Sequence, residues 1–315
     1  MNNQNIITRV SNELGNQMFM YASTLGISKK INKTLLIDNE TAYLSNKNIS
    51  KYGLNNFKIT SKIAPNNFKF LGTVGYFKRK LIKKMNNLYI NKKFYIEKKD
   101  KDKITKFDNN ITSINFAKNV YFEGYFETEK YFKDINDIIL NEFNFIDQKK
   151  FIESPYYSEI NNSNSISICL RQNRFTEGKN ENDSVINSKK STTFTKEQII
   201  YINKSINFFK KKFDNPIFFL WSNNFKNIDP SLFDEKITLV QHNEKFYSNI
   251  DKRCLDLFLI SNCSNHIVIP SSFNWWGAWL SQKKNKIILR PSKKCFSLFK
   301  VNNKDLWPLD WIEID

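Results

Sequence analysis

Two histidines and four cysteines among 315 residues leave little material for a metal centre. Cys169, Cys254, Cys263 and Cys295 form no C-x-x-C pair and have no histidine cluster nearby, so the spacing excludes a structural zinc site. Hydrophobic runs are short as well. No stretch reaches the roughly 18 apolar residues of a membrane span, and the opening "MNNQNIITRV" lacks the apolar segment of a secretory signal. The expected location is therefore cytoplasmic, with reduced thiols. Glycine is scarce, and none of the eight falls in the G-x-x-x-x-G-K-[ST] spacing of a phosphate loop. Acidic residues are outnumbered, 31 against 49 Lys and Arg, for a formal charge of +18. That excess fits a polyanionic partner, an anionic membrane surface or a phosphorylated substrate. It fits equally a solvated surface, because lysine is spread along the whole chain.

Apolar and aromatic residues are abundant, at 40% and 15%, enough for a packed core, and the length suits about two domains. The pattern begins as strand, loop, helix, strand. "NIITRVS" is a short apolar run, "NELGN" a polar turn, and "QMFMYASTLGISKKIN" places Met18, Phe19, Ala22 and Leu25 at helical spacing before "KTLLIDNE". From Val120 a strand is expected to pass near Thr128 into a helix carrying Ile135, Ile138, Ile139 and Phe143 on one face. Residues 60–110 give no clear elements. After the polar "NNSNS" the second half alternates: "SISICL", "PIFFLWS", "NHIVIP" and "KIILRP" read as strands. "TKEQIIYINKSINFFKKKF", "RCLDLFLISNC" and "NWWGAWLSQ" read as helices. Continuous apolar strands between amphipathic helices predict parallel sheets covered on both faces. The domains expected are residues 1–155 and 156–315.

Chemistry is expected where strands end. "HIVIPSSFNWWGAWL" runs from a buried strand into a helix start, so Ser271, Ser272 and free backbone N–H groups converge on a place suited to a pyrophosphate. The plainer alternative has Ser271 capping the helix while Trp275 and Trp279 fill the core. In "NELGNQM", Gly15 permits a positive φ or a close backbone approach, and Asn16 and Gln17 present amides at a helix start; a capped turn is the alternative. "ICLRQNRF" ends a strand with Arg171 and, three residues on, Arg174, able to meet phosphate oxygens or to form a surface ion pair. "FFLWSNNF" ends in Ser222, Asn223 and Asn224, which suit base or ribose contacts or simple turn chemistry.

Taken in order, "LGNQMFMYA", "GYFETEKYF", "DLFLISNC" with "PSSFNWWGAWL", and "KDLWPLDWIEI" resemble the α-1,2-fucosyltransferases of glycosyltransferase family 11 from about residue 6 onward. The resemblance implies an α/β protein of GT-B type, two Rossmann-like domains facing across a cleft, the first on the acceptor side and the second binding GDP-sugar. It implies inverting transfer of L-fucose from GDP-fucose to a glycan hydroxyl, α-1,2 to a terminal galactose, without metal or cofactor. Ser271 and Ser272, with Phe273 at the same helix start, match the family's donor-pyrophosphate position.

The sequence departs from the family's His-x-Arg-Arg-x-Asp motif: "CLRQNR" keeps Arg171, while Cys169, Gln172 and Arg174 occupy the other places. Asn12 and Glu13 stand where a glycine pair is common, and Asn223 and Asn224 where two aspartates are. An asparagine carbonyl is a weaker acceptor for guanine N–H groups than a carboxylate. Arg171, the two serines and the helix N-terminus are expected to stabilise the leaving diphosphate. Glu13, Asp38 and Glu177 are the candidate bases, and Asn16 is placed to orient the acceptor. Three other readings are a catalytically silent sugar-binding relative, a transferase using another nucleotide sugar, and a nucleic-acid binder. The last is disfavoured because no nucleic-acid module is present. The Lys-rich segment 78–103 is expected to be peripheral to catalysis, either touching an anionic membrane or lipid-linked acceptor or lying as a solvated face.

Overall fold

The computed structural model describes residues 4–44, 51–99, 104, 106–176, 184–226, 228–242, 249–298 and 304–315. The chain divides into two compact units, Met1–Ile146 with Lys304–Trp307, and Asp147–Asn303 with Pro308–Asp315.

The first unit holds β1 (Asn5–Arg9), α1 (Leu14–Lys30), β2 (Thr34–Asp38), β3 (Lys62–Ile63), α2 (Gly72–Met85), β4 (Lys92–Ile96), β5 (Phe116–Glu123) and α3 (Asn136–Glu142). Its sheet has the order β3-β2-β1-β5-β4, and every ladder is parallel. Met18, Phe19, Ala22 and Leu25 are buried as their spacing predicts, but α1 is buried on its other sides too. Its polar residues are satisfied within the unit: Ser23 Oγ donates to the Phe126 carbonyl (2.8 Å), and Gln17 Nε2 to the carbonyls of Asn12 (2.7 Å) and Lys51 (2.8 Å). Gly15 lies inside this helix, and among the described glycines only Gly72 has a positive φ, so the positive φ that Gly15 permits is not used. It is Asn12 that adopts φ 61° there.

After β5 the expected helix from Thr128 is broken. Two 3-10 turns, Glu129–Tyr131 and Lys133–Ile135, precede the short α3. Tyr131 and Phe132 are buried against the rest of the unit, and seating both aromatics draws the backbone out of a continuous helix. Ile139 and Phe143 are buried as expected, whereas Ile138 is exposed.

The second unit holds α4 (Gln148–Phe151), α5 (Pro155–Asn161), β6 (Ser165–Leu170), α6 (Ser184–Lys212), β7 (Ile217–Ser222), β8 (Ile237–Leu239), α7 (Lys252–Asn262), β9 (Asn265–Ile267), α8 (Ser272–Leu280), β10 (Ile288–Pro291) and β11 (Ile312–Ile314). The sheet order is β11-β10-β9-β6-β7-β8, again all parallel. "NNSNS" forms the turn from α5 into β6. α6 starts earlier than its apolar period suggests. Its first turns are rich in Ser and Thr, whose hydroxyls bond back to the helix, as Thr192 does to the Ser188 carbonyl (3.1 Å) and Thr195 to the Ser191 carbonyl (3.0 Å).

Trp275 and Trp276 are fully buried, with ring centroids 5.0 Å apart; Trp279 stacks on Trp275 at 6.0 Å and Trp311 meets it at 5.5 Å. Trp275, Trp276 and Trp311 are therefore core, with Trp279 half-buried at their edge, and this explains the tryptophan in "LDWIEI". A Cβ on Gly277 would collide with the Ile260 side chain, so α8 can lie against α7 only with glycine there.

Candidate active site

In open α/β sheets ligands bind at the carboxyl ends of the strands that flank the place where the strand order reverses. In the second unit β6, β7 and β8 run to one side while β9, β10 and β11 run to the other, so the reversal lies between β6 and β9. Arg171 directly follows β6, and Ser271 and Ser272 follow β9 at the start of α8. The residues singled out for the pyrophosphate thus come from the two strands flanking the switch point.

Arg171 is half-buried, and its backbone is clamped on both sides by Gln198 of α6. Gln198 Oε1 accepts from the Arg171 N–H, and Nε2 donates to the Arg171 carbonyl, both at 2.9 Å. Asn173, at φ 56°, then turns the loop so that Arg174 lies in the next turn, half-buried. Ser271 is the N-cap residue of α8 by position, yet its hydroxyl makes no capping bond. The turn into α8 is closed instead by Asn274, whose Oδ1 accepts from the Ile269 N–H at 2.7 Å. Ser271, Ser272 and Phe273 are all half-buried.

Asn223 links two loops. Its Oδ1 accepts from the Gln172 N–H (2.8 Å) and its Nδ2 donates to the Gln172 carbonyl (3.0 Å), tying the loop after β7 to the loop after β6. Gln172 Nε2 returns a bond to the Asn224 carbonyl at 2.9 Å, and Ser222 Oγ donates to the same carbonyl at 2.9 Å. An aspartate at 223 could not donate to the Gln172 carbonyl, so here asparagine is the residue that fits.

A carboxylate that pattern reading passed over lies under the same edge. Asp256, on α7, bonds to Nε2 of His242, which follows β8, at 2.6 Å. Burial raises its affinity for a proton, against the pull of His242. Burial, reinforced by the Asp256 charge, pushes the Cys169 thiol far up, so the residue in the family's histidine place is a neutral buried thiol.

In the first unit the sheet order β3-β2-β1-β5-β4 sets β1 and β5 side by side. Asn12 and Glu13 follow β1, and Gly124–Thr128 follow β5. Asn12 Nδ2 donates to the Tyr125 hydroxyl at 2.7 Å, joining the two loops. Glu13 is exposed at the N-cap of α1, and its carbonyl accepts from Asn16 (3.0 Å) and Gln17 (3.1 Å). Phe126 is fully buried at φ 52°, a strained conformation for so large a residue. Glu97, just past β4, holds it there by accepting the N–H groups of Tyr125 (2.7 Å) and Phe126 (2.9 Å). Burial raises Glu97 to about 7, although these two amides and Lys99 pull the other way. Gly124 lets Glu97 approach, since a Cβ there would strike the Glu97 side chain.

Asp38, one of the three candidate bases, is fully buried. Its carboxylate accepts from the backbone of Glu40 (3.1 Å) and Thr41 (2.9 Å) and from the hydroxyls of Thr41 and Tyr121. It therefore organises the loop after β2. Glu177 lies outside the described residues. Among the described residues no three His, Cys, Asp or Glu side chains are grouped to hold a metal ion, and no helix is long and apolar enough to cross a membrane.

A sequence model described as glycosyl transferase family 11 matches residues 2–315. An α-1,2-colitosyltransferase of Escherichia coli is 26% identical across 98% of this chain and 99% of its own length. The O-antigen biosynthesis glycosyltransferase WbnK, also of Escherichia coli, is 24% identical across 97% and 99%. Among solved structures, the α-1,6-fucosyltransferase NodZ of Bradyrhizobium, soaked with GDP-fucose, superposes with a TM-score of 0.51 at 14% identity, covering 88% of this chain and 92% of that one. Arabidopsis thaliana FUT1 in complex with GDP gives 0.53 at 13%, covering 93% and 71%. At that identity the likeness speaks for the fold, α/β of GT-B type.

Proposed function

The chain belongs to glycosyltransferase family 11, and we propose that it is an inverting transferase moving a 6-deoxy-L-hexose from its GDP conjugate to a glycan hydroxyl, without metal. The observation that carries this reading is the pairing of Arg171 with Ser271 and Ser272 at the β6/β9 switch point. As the sugar–phosphate bond breaks, negative charge grows on the diphosphate. A guanidinium, two hydroxyls and the N-terminus of α8 are the groups that stabilise it. Arg174 adds positive charge from the same loop. Ser222 and Asn224 serve the nucleoside from the end of β7. Asp256, already aligned by His242, supplies the anionic acceptor for guanine N–H groups that Asn223, tied to Gln172, does not.

On the acceptor side, Glu13 and Asn16 follow β1, the central strand of the first unit. Glu13 is the base in this reading, since Asp38 is committed to its own loop. The sugar is L-fucose transferred in α-1,2 linkage to a galactoside. A second donor has specific support, because one relative carries the name colitosyltransferase; colitose is fucose lacking its 3-hydroxyl. GDP-fucose and GDP-colitose offered in parallel to galactoside acceptors, with NMR assignment of the product linkage, separate the two. Failure of transfer from both would sink the assignment. For the pyrophosphate contact, the Ser271→Ala/Ser272→Ala protein is expected to bind GDP more weakly while losing no more than about 1 kcal/mol of stability. Wild-type GDP affinity in a calorimetric titration would refute it.

A further inference from the structure

α2 turns part of its surface inward and leaves a larger part uncovered. Its inner side is held by Ile82, which packs against the cluster of Ile7, Ala64, Phe70, Phe94 and Tyr121. Arg79 and Lys83 both pair with Glu123 on β5. On the other side Val74, Phe77, Leu81 and Met85 recur at three- and four-residue steps, one continuous stripe. Val74 is 79% exposed, Phe77 66% and Leu81 57%; beyond the helix end the stripe continues into Leu88 at 78% and Ile90 at 87%. No residue of this helix is buried. Lys78, Lys80 and Lys84 are exposed beside the stripe. No acidic residue occurs between Glu40 and Glu97, so nothing within this span offsets them.

We propose that the outer face of α2 and the turn to Ile90 dock the protein peripherally on a bilayer bearing anionic headgroups, with the apolar stripe entering the interface and the lysines meeting lipid phosphates. The inference is independent of the transferase reading. Each other occupant satisfies only half of the surface. A nucleic acid would meet the lysines but leave the aliphatic stripe in water. A second copy of this chain would cover the stripe but oppose Lys78, Lys80 and Lys84 with themselves, on a chain already at +18. An anionic bilayer offers hydrocarbon and negative charge at the same depth, which is the environment of an interfacial amphipathic helix.

Flotation of the purified full chain with phosphatidylcholine vesicles, with and without phosphatidylglycerol, tests this. Binding is expected with the anionic vesicles only and should weaken as salt rises. Replacing Lys78, Lys80 and Lys84 by glutamine is expected to lower the partition coefficient on the order of a hundredfold, from the contribution of each lysine near such a surface. The Phe77→Ser/Leu81→Ser/Leu88→Ser protein should lose at least as much, with an unchanged circular dichroism spectrum because all three side chains already face water. Equal binding by wild type and both variants would overturn the proposal. So would no binding to anionic vesicles, duplex DNA binding that survives the serine variant as the only association seen, or a concentration-dependent dimer that the serine variant abolishes in the absence of lipid.

Discussion

Replacing Arg171 by lysine keeps the charge but removes the planar fork that can meet two phosphate oxygens at once. In a site where one preorganised donor contributes about 3 kcal/mol to the transition state, turnover is expected to fall roughly a hundredfold with little change in melting temperature. Steady-state kinetics on the folded variant checks this, and near wild-type turnover would remove Arg171 from the mechanism. The placing of Arg171 after β6 and of the serines after β9 was legible because each follows an apolar run. Glu97 and Asp256 were not. Glu97 acts on Tyr125 and Phe126, Asp256 on His242, and neither pairing leaves a local pattern. The tie from Asn223 to the backbone of Gln172 left no pattern for a related reason, since it joins the loops of two neighbouring strands.

At the scale of elements, the loop after β5 depends on a carboxyl group whose protonation state is poised. Glu97 stands near 4.5 in an unfolded chain and at about 7 when folded. The native state therefore holds a proton that the unfolded state releases. Stability is full below about pH 4.5 and declines as pH rises toward 7, by about 3 kcal/mol if nothing else titrates. Denaturant titrations across that range should show the decline in wild type and a flatter profile in Glu97→Gln; equal slopes would contradict the assignment. β1, β2, β5, β6, β7, β9 and β10 could be read from apolar runs, whereas β3 and β4 lie in the stretch that gave no clear elements and the short β8 and β11 were not read as strands. α2 could not be read, because its apolar period marks the side turned to solvent and its inner side includes two charged residues bonded to Glu123. The region after Thr128 carried a helical period, but burial of Tyr131 and Phe132 outweighed local preference.

For the whole molecule, two units with separate sheets predict that a ligand of one will not protect both alike. GDP at a hundred times its dissociation constant adds about 2.7 kcal/mol to whatever unfolding releases it. Hydrogen exchange should then show protection gained in β6, β7 and β9 and little change in β1 and β2. Equal gains in both units would move the nucleotide site from where Arg171 and the serines place it. The alternation of strand and helix made this α/β architecture legible, whereas strand order was not, since it follows from pairings between distant segments.

Those pairings also set a timetable. β1 bonds to β5, with Asn5 and Asn119 separated by 114 positions, and β6 to β9 across a comparable gap, Ser167 to His266 at 99. An all-parallel sheet cannot zip from a hairpin, so each central strand must wait for a partner made much later, and non-local closure of this kind is slow. In that interval β1 and the wholly buried β6 are apolar ribbons with open edges, the species that associate with one another. Recovery after dilution from denaturant should therefore fall steeply with protein concentration, and conditions that slow synthesis or supply a holding chaperone should raise the yield of active protein more than any single stabilising substitution.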